Sequence, residues 1–299
     1  MKPEQSSFTP AIEPITIPLK GDTRINILRL DRFHPVVSGN KWFKLRYYLE
    51  EALQSGKKGL VTFGGAYSNH IVAAAFAAKE NGLLSYGIIR GEEPRTLSPT
   101  LLEAEGYGMK FLFVSREQYQ LKTQQPLFAE FPAADWTLIP EGGYGEAGIQ
   151  GAATILDAVS NLEQFSHIAA AVGTGTMLAG LARRSLPLQQ LVGISALKGE
   201  DHLTEEVMVH GRINSDRLRI FFDYHFGGYA KHPSSLLDFM NGFYQQTSVP
   251  TDIVYTSKLC YGILDLAGKG YFPKGSNILL IHSGGLQGNR SLLKGELIF

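Results

Sequence analysis

The sequence lacks the features that would connect it with a metal, a membrane or a polyanion. Its only cysteine is Cys260, so no disulfide can form within the chain, and lysines plus arginines equal aspartates plus glutamates at 28 each. Such a balance gives no overall field that would attract nucleic acid or an anionic membrane. No apolar run approaches the ~20 residues that a membrane-spanning helix needs, and the first 19 residues contain no signal-peptide core. We therefore expect a cytoplasmic protein that binds neither nucleic acid nor membrane.

Several catalytic motifs are also missing from the chain. There is no G-x-x-x-x-G-K-[ST] for a P-loop and no G-x-S-x-G for a hydrolase nucleophile. The eight histidines show no H-x-x-x-H spacing, and the single cysteine has no partner for a zinc site. We expect no metal.

What the chain does contain is a regular alternation of β-rich and helical segments. Apolar strands that alternate with helices favour parallel sheets covered by helices on both faces. Strands are predicted at 25–31, 59–65, 83–91, 110–115 and 191–197, at the starts of 136–159 and 167–184, and at 252–257 and 277–285. Helices are predicted from residue 40, at 67–82 and 98–108, in a Gln-rich piece that ends near 131, as a long helix within 136–159, after 176 and at 258–270. The stretch 201–245 gives no clear pattern.

Lys41 stands directly after a Ser-Gly-Asn run, in the first turn of the helix predicted from residue 40. Its helix presents a broad apolar face, with Lys44, Arg46 and Glu50 on the polar side. A cation is mildly unfavourable at a helix N-terminus, because the helix dipole is positive there. One interpretation is a solvated lysine near a cap. The other is an amine that loses its proton and forms a Schiff base with a carbonyl cofactor.

Three glycine-rich turns follow predicted strands, at 64–70, 173–176 and 282–289. The turn Gly173, Thr174, Gly175, Thr176 is the best candidate for holding a phosphate, since two hydroxyls and several amides could surround one anion at a helix start. Leu178 replaces the third glycine of a G-x-G-x-x-G, so a dinucleotide is not favoured. A glycine turn without any ligand is the alternative for each turn alone, but three turns at strand ends together favour a ligand.

Six segments, in this order along the chain, resemble one family of pyridoxal-phosphate (PLP) enzymes. The family has the tryptophan synthase β fold, and the branch is that of 1-aminocyclopropane-1-carboxylate (ACC) deaminase and D-cysteine desulfhydrase. The segments are SGNKWFKLRYYL, TFGGAYSNH, IPEGGYGEAGIQG, AVGTGTMLAGL, VYTSKLCYGILDL and IHSGG. The resemblance implies a two-domain, three-layer αβα protein of PLP fold type II, a homodimer, with the cofactor between the domains. We expect a large domain of residues 1–44 plus 146–299 and a small domain of 45–145.

The resemblance also implies a role for individual residues. Lys41 matches the Schiff-base lysine, whose pKa we expect to be depressed beside a cofactor and a helix N-terminus. Asn69 matches the asparagine that hydrogen-bonds the cofactor's phenolic oxygen. The other matches are Ser68 with the amides of Asn69 and His70 for the substrate carboxylate, Gly173, Thr174, Gly175 and Thr176 for the phosphate, and Tyr255 for proton transfer near the ring.

Thr256 matches the group that faces the pyridine nitrogen, where ACC deaminases carry glutamate and D-cysteine desulfhydrases threonine. A neutral hydroxyl makes the ring a milder electron sink, which suits β-elimination of a good leaving group better than opening of a cyclopropane. Tyr229 corresponds either to a second active-site tyrosine or to a structural one. We predict D-cysteine desulfhydration giving pyruvate, ammonia and sulfide. The alternatives are ACC deamination to 2-oxobutanoate and ammonia, a PLP-binding protein without turnover, and a nucleotide-binding protein without PLP.

Overall fold

The computed structural model describes residues 10–19, 22–121, 130–199 and 202–299, in which strands and helices alternate. The strands are Ile12–Pro14 (β1), Arg24–Arg29 (β2), Gly59–Gly64 (β3), Leu84–Arg90 (β4), Lys110–Val114 (β5), Trp136–Ile139 (β6), His167–Val172 (β7), Gln190–Ser195 (β8), Leu218–Phe221 (β9) and Asn277–His282 (β10). The α-helices are Asn40–Gln54 (α1), Asn69–Glu80 (α2), Pro99–Gly106 (α3), Arg116–Gln120 (α4), Glu146–Ala153 (α5), Thr176–Arg184 (α6), Leu203–Gly211 (α7), Ser234–Thr247 (α8) and Thr256–Gly268 (α9).

The chain divides into two compact units. Among the described residues, the first unit holds 35–37 and 41–151, and the second holds 10–34, 38–40 and 152–299. The division falls between Asn40 and Lys41 and again after Gly151. The domain boundaries given above, at 44/45 and 145/146, stay a prediction.

A four-stranded parallel sheet forms the centre of the first unit, in the order β5-β4-β3-β6. All six residues of β3 are buried, as expected for a central parallel strand covered on both faces. Alternate residues of β3 belong to different cores: Leu60 packs in one apolar cluster, and Val61 and Phe63 pack in another. Because β3 lies between β4 and β6, the loops after β3 and β6 are neighbours at the carboxyl edge of the sheet.

The second unit is built on a six-stranded sheet in the order β1-β2-β10-β7-β8-β9. Its strands pair in parallel except for β1, which is antiparallel to β2. The central strands β7 and β10 are buried along their whole length. Since β10 pairs directly with β7, the glycine turns that follow these strands, at 173–176 and 282–285, lie next to each other at the same edge.

Most predicted elements are present. Two segments differ from prediction, a third lies partly outside the described residues, and a fourth had no clear prediction. The long helix predicted within 136–159 ends at Ala153 and is followed by a short 3-10 turn at Leu156–Ala158. Residues 252–255, β-rich in sequence, form the turn that begins α9. Of the Gln-rich piece, α4 covers only Arg116–Gln120, and residues 122–129 lie outside the described ranges. The stretch 201–245 contributes α7, β9 and α8.

A buried guanidinium ties β1 to β2 in the second unit. Arg29 is 1% exposed, and it donates to Glu13 at 2.6 Å and to both carboxylate oxygens of Asp31 at 2.8 and 2.6 Å. The Nδ1 atom of His282, at the end of β10, lies 3.2 Å from Asp31 Oδ1. Since a buried charge is tolerated only when paired and hydrogen-bonded, these groups fix one another.

The start of α1 lies against the loop that follows β10. Gly39 has φ +68°, and a Cβ atom built there would lie 1.8 Å from the carbonyl oxygen of Ser283. The amide of Asn40 donates to the same oxygen at 3.1 Å. Only glycine allows this approach.

Replacement of Gly39 by alanine should therefore destabilise the protein more than its left-handed backbone alone explains. Gly270 is the matched control, because its φ is +76° and nothing lies within 4 Å of an added Cβ. We expect Gly270→Ala to lower the free energy of unfolding by about 1 kcal/mol and Gly39→Ala to lower it by clearly more, as measured by urea unfolding. Equal losses for the two variants would show that the contact with Ser283 costs nothing.

Candidate active site

Lys41 lies in the first turn of α1, within the first unit. The residues before it belong to the second unit, where the Asn40 amide group donates to the sulfur of Met177 at 3.3 Å. Asn40 is buried, so the chain is held immediately before the lysine.

Lys44, one turn further along α1, is a second lysine of the site that sequence reasoning missed. We placed it on the polar face, and this was wrong: it is 5% exposed, and its amine donates to the carbonyl oxygen of Gly142 at 3.2 Å. Burial, and next the charge of Lys41, hold the pKa of Lys44 well below its ordinary value. The available signal was K-x-x-K, which places both lysines on one helix face.

Ser68, Asn69 and His70 begin α2, where Ser68 is the N-cap and its side chain makes no capping hydrogen bond. The loop before them is fastened by Ser98, whose hydroxyl donates to the carbonyl of Ala66. Helix N-terminal amides are suited to a carboxylate. Lys41 and the three residues predicted to hold the substrate all belong to the first unit, and the charge of Lys41 is felt at His70.

The imidazole of His70 has a tautomer that the surrounding hydrogen bonds determine. Thr62 Oγ1 donates its only hydrogen to the carbonyl of Ile139 at 2.8 Å, so it can only accept from His70 Nε2, 2.7 Å away. His70 Nδ1 is then an acceptor, and it has no hydrogen-bond partner among the described residues. Burial, followed by the charges of Lys41 and Lys44, lowers the pKa of His70 to about 3, so the ring is neutral.

The turn at 173–176 has the geometry of an anion site in the second unit. Gly175 is the N-cap of α6 with φ +72°, and a Cβ there would lie 2.9 Å from Val207. No capping side chain occupies the first amides of the helix, and the hydroxyls of Thr174 and Thr176 lie 2.8 Å apart. The amides and hydroxyls can together surround one phosphate.

Tyr255 packs over this turn. A Cβ atom on Gly173 would lie 3.1 Å from Cε1 of the Tyr255 ring and 3.2 Å from its hydroxyl oxygen. The ring centroid of Tyr229 is 6.2 Å from that of Tyr255, at an interplanar angle of 71°. The second unit thus brings both tyrosines together with the phosphate turn.

Asp252 organises the start of α9, and sequence reasoning missed it. Its carboxylate accepts from the amides of Val254 at 2.8 Å, Tyr255 at 3.0 Å and Thr256 at 2.8 Å. It also accepts from the hydroxyl of Thr256 at 2.6 Å, and that hydroxyl accepts in turn from the Asp252 amide at 2.7 Å. Both residues are fully buried. An aspartate just before a helix start was the available signal.

A family model described as "Pyridoxal-phosphate dependent enzyme" matches residues 26–284. The chain belongs to this family. A Pyrococcus horikoshii protein that carries the provisional name of an ACC deaminase is 30% identical over 270 residues, covering 84% of this chain and 81% of its own. The mitochondrial bifunctional D-cysteine desulfhydrase/ACC deaminase of Arabidopsis thaliana is 28% identical over 302 residues, covering 90% of this chain and 74% of its own. A crystal structure named as that of an ACC deaminase homologue matches with a TM-score of 0.78 at 29% identity, covering 94% and 91% of the two chains.

These findings confirm the predicted α/β fold of this PLP-dependent enzyme, its cofactor and its relationship to deaminases and desulfhydrases. The described residues of each unit suit a part of PLP: in the second unit the N-terminus of α6, which has no capping side chain, can bind a phosphate, and in the first unit Lys41 supplies an amine. The roles of the individual site residues stay predictions.

Two other observations concern the same described ranges. No group of three or more His, Cys, Asp or Glu side chains in them could hold a metal ion. No described helix combines the length and the apolar character that crossing a membrane requires.

Because His70 is neutral in the folded state, we expect acid to lower the stability of the first unit of this PLP-dependent enzyme. Below its ordinary pKa of 6.5 the unfolded histidine takes up a proton, whereas the folded one does so only near pH 3. Stability should therefore fall as the pH drops from 6.5 toward 3, by about 1.4 kcal/mol per pH unit from this group. Both tryptophans, Trp42 and Trp136, lie in the first unit, so their fluorescence during urea unfolding measures its stability.

His70→Gln serves as the reference for this measurement, because its amide can still donate to Thr62 but does not titrate. Subtracting its pH dependence from that of the wild type removes the contribution of the carboxylates. Parallel curves for the two proteins would contradict the assignment.

Replacing each of two threonines by valine tests whether Asp252 stabilises the start of α9. Thr256→Val leaves a buried carboxylate without one of its donors, so we expect the free energy of unfolding to fall by about 1–3 kcal/mol. Thr251 is the matched control: it is fully buried in the same unit, and its hydroxyl has no hydrogen-bond partner among the described residues. Thr251→Val should be neutral or slightly stabilising in urea unfolding. A loss for Thr251→Val as large as for Thr256→Val would refute the role of the cap.

Proposed function

We propose that the chain catalyses a PLP-dependent α,β-elimination on a small amino acid, with D-cysteine as the preferred substrate type. With water as co-reactant, D-cysteine would give pyruvate, ammonia and hydrogen sulfide. The choice of D-cysteine as the preferred substrate type rests on Thr256. It stands at the position that the resemblance aligns with the pyridine nitrogen, and its side chain there is a hydroxyl that donates to Asp252.

Residues of each unit would have a role in binding the cofactor. Bound PLP supplies an electron sink for the electrons released at the substrate Cα. Lys41 would hold the cofactor by its amine, and the amides and hydroxyls of 173–176 would hold its phosphate. Asn69 would orient the ring through the phenolic oxygen.

The substrate carboxylate would be bound by the Ser68 hydroxyl and the amides of Asn69 and His70, at the N-terminus of α2. The Cα proton would go to Lys41 or Tyr255, each of which carries a group that can accept a proton. Tyr229, with its ring against that of Tyr255, is the candidate for a second proton donor.

ACC deamination is the second candidate function. Its support is in the names of the relatives: the Pyrococcus horikoshii protein carries the name of an ACC deaminase, and the Arabidopsis thaliana protein carries both activities in its name. The expectations of a cytoplasmic location and a homodimer rest on the sequence and its resemblance alone, and they stay predictions.

A substrate panel on the PLP-loaded protein separates the two functions. It should contain D-cysteine, L-cysteine, β-chloro-D-alanine, D-serine and ACC, with keto acid and sulfide measured in each case. We expect pyruvate and sulfide from D-cysteine at a rate well above that of keto acid from ACC, because the neutral Thr256 gives a milder sink. Keto acid from ACC without sulfide from D-cysteine would reverse the order of the candidates.

Lys41→Ala should abolish both the turnover and the visible absorbance of the bound cofactor. Lys58→Ala is its control, because Lys58 is an exposed lysine of the same unit whose only described ion pair is with Asp135 on the surface. A Lys41→Ala protein that kept the band would show that another amine holds the cofactor.

A further inference from the structure

Lys258 is a second lysine in the first turn of a helix, and unlike Lys41 it has no place in the proposed reaction. It is the third residue of α9 and is fully buried. A buried cation at a helix N-terminus is unfavourable for two reasons: it has lost its hydration, and the helix dipole is positive at that end. Burial lowers the pKa of Lys258 to about 8, against the attraction of the Asp252 carboxylate. The position needs a compensating contact.

That contact is with the loop of residues 225–230. The amine of Lys258 donates to the carbonyl oxygen of Gly228 at 2.7 Å. This carbonyl belongs to the peptide group that joins Gly228 to Tyr229, so the hydrogen bond holds the backbone directly before the Tyr229 side chain.

The loop has an unusual backbone that requires outside support. Phe226 and Ala230 have φ +52° and +54°, and Gly227 and Gly228, between them, have φ +95° and +120°. Left-handed conformations at non-glycine residues persist only where surrounding contacts impose them. The loop receives such contacts from the Lys258 amine and from the ring of Tyr261, whose centroid lies 4.9 Å from that of Phe226.

The start of α9 provides two residues that contact this loop, Lys258 and Tyr255. Lys258 fastens the loop from within the helix, and Tyr255, at the N-cap of the same helix, meets the ring of Tyr229 edge-on. Tyr229 is 49% exposed, so burial of its own ring does not determine its position.

We propose that Lys258 is a positioning residue, whose buried amine holds the Gly228 carbonyl so that Tyr229 is kept against Tyr255. Its relevance to turnover rests on the proposed function, in which these two tyrosines move protons. The tether itself does not depend on that function, and it can be tested separately.

Hydrogen–deuterium exchange tests the tether. Lys258→Met keeps the apolar length of the side chain and removes the donor. We expect the amides of residues 227–231 to exchange about tenfold faster or more, since the Gly228 carbonyl would keep only the amide of Lys231, 3.2 Å away within the same loop, and would lose its tie to α9. Lys269→Met is the matched control, because it removes the same charge from the exposed end of the same helix. Unchanged exchange in Lys258→Met would overturn the proposal.

A double-mutant cycle tests the link to turnover. Lys258→Met and Tyr229→Phe should each lower kcat/KM, and the double variant should be no worse than Tyr229→Phe alone, because Lys258 acts through that side chain. The visible absorbance of bound PLP should stay unchanged in all three variants. Additive losses in the cycle, or a Tyr229→Phe protein with full activity, would overturn the role in catalysis.

Lys258→Gln covers the case in which the methionine variant does not fold. The glutamine side chain is one bond shorter than lysine and ends in a neutral donor, so it should hold the Gly228 carbonyl less well. We expect the loop amides to exchange faster than in the wild type and kcat/KM to be lower. Exchange in residues 227–231 equal to that of the wild type would overturn the role of the lysine amine. A wild-type protein that took up no PLP would contradict the proposed function, while exchange in the loop would still decide on the tether.

Discussion

The residues directly before Lys41 are held within the second unit by a backbone contact that only glycine permits. Gly39 lies so close to the Ser283 carbonyl that a methyl group would overlap it, and the next amide donates to the same oxygen. Helix α1 therefore begins at a point fixed by the end of β10, a central strand of the larger sheet. The G-N-K motif is thus explained by sterics as well as by chemistry: the glycine permits the approach, the asparagine is anchored, and the lysine follows.

Burial lowers the proton affinity of three basic side chains, two in the first unit and one in the second. The pKa values of Lys44, His70 and Lys258 are all lowered, and desolvation is the first cause in each case. Such groups cost stability, and their presence in the interior points to a requirement of the site. Each makes a specific hydrogen bond, to Gly142, Thr62 and Gly228 respectively. Gly142 follows β6, Thr62 lies within β3 and Gly228 lies in the loop 225–230, so each basic group is tied to a residue of its own unit.

Much of the fold could be predicted because its strands are continuous apolar runs that end in glycine. The start of α3 likewise has a common sequence signature, a serine cap followed by proline at Ser98 and Pro99, and the Ser98 side chain accepts from the amide of Leu101. Lys44 was misplaced because helical periodicity assigns a lysine to solvent, whereas a contact from distant Gly142 buries it. The segment 252–255 was misread because its β-branched residues favour a strand, but the Asp252 carboxylate binds the amides of a helix start instead. The end of α5 at Ala153 carries no glycine or proline that would have marked it.

The short strand β1 has a consequence for how the protein can be handled. It covers the outer edge of β2 and places Glu13 against the buried guanidinium of Arg29. A recombinant chain shortened beyond Glu13 would uncover a row of unsatisfied peptide groups on a long parallel sheet, where a neighbouring molecule could add as a strand. It would also leave the guanidinium with Asp31 as its one remaining carboxylate partner among the described contacts. Residues 12–14, which contribute little to the core, thereby protect the protein against self-association.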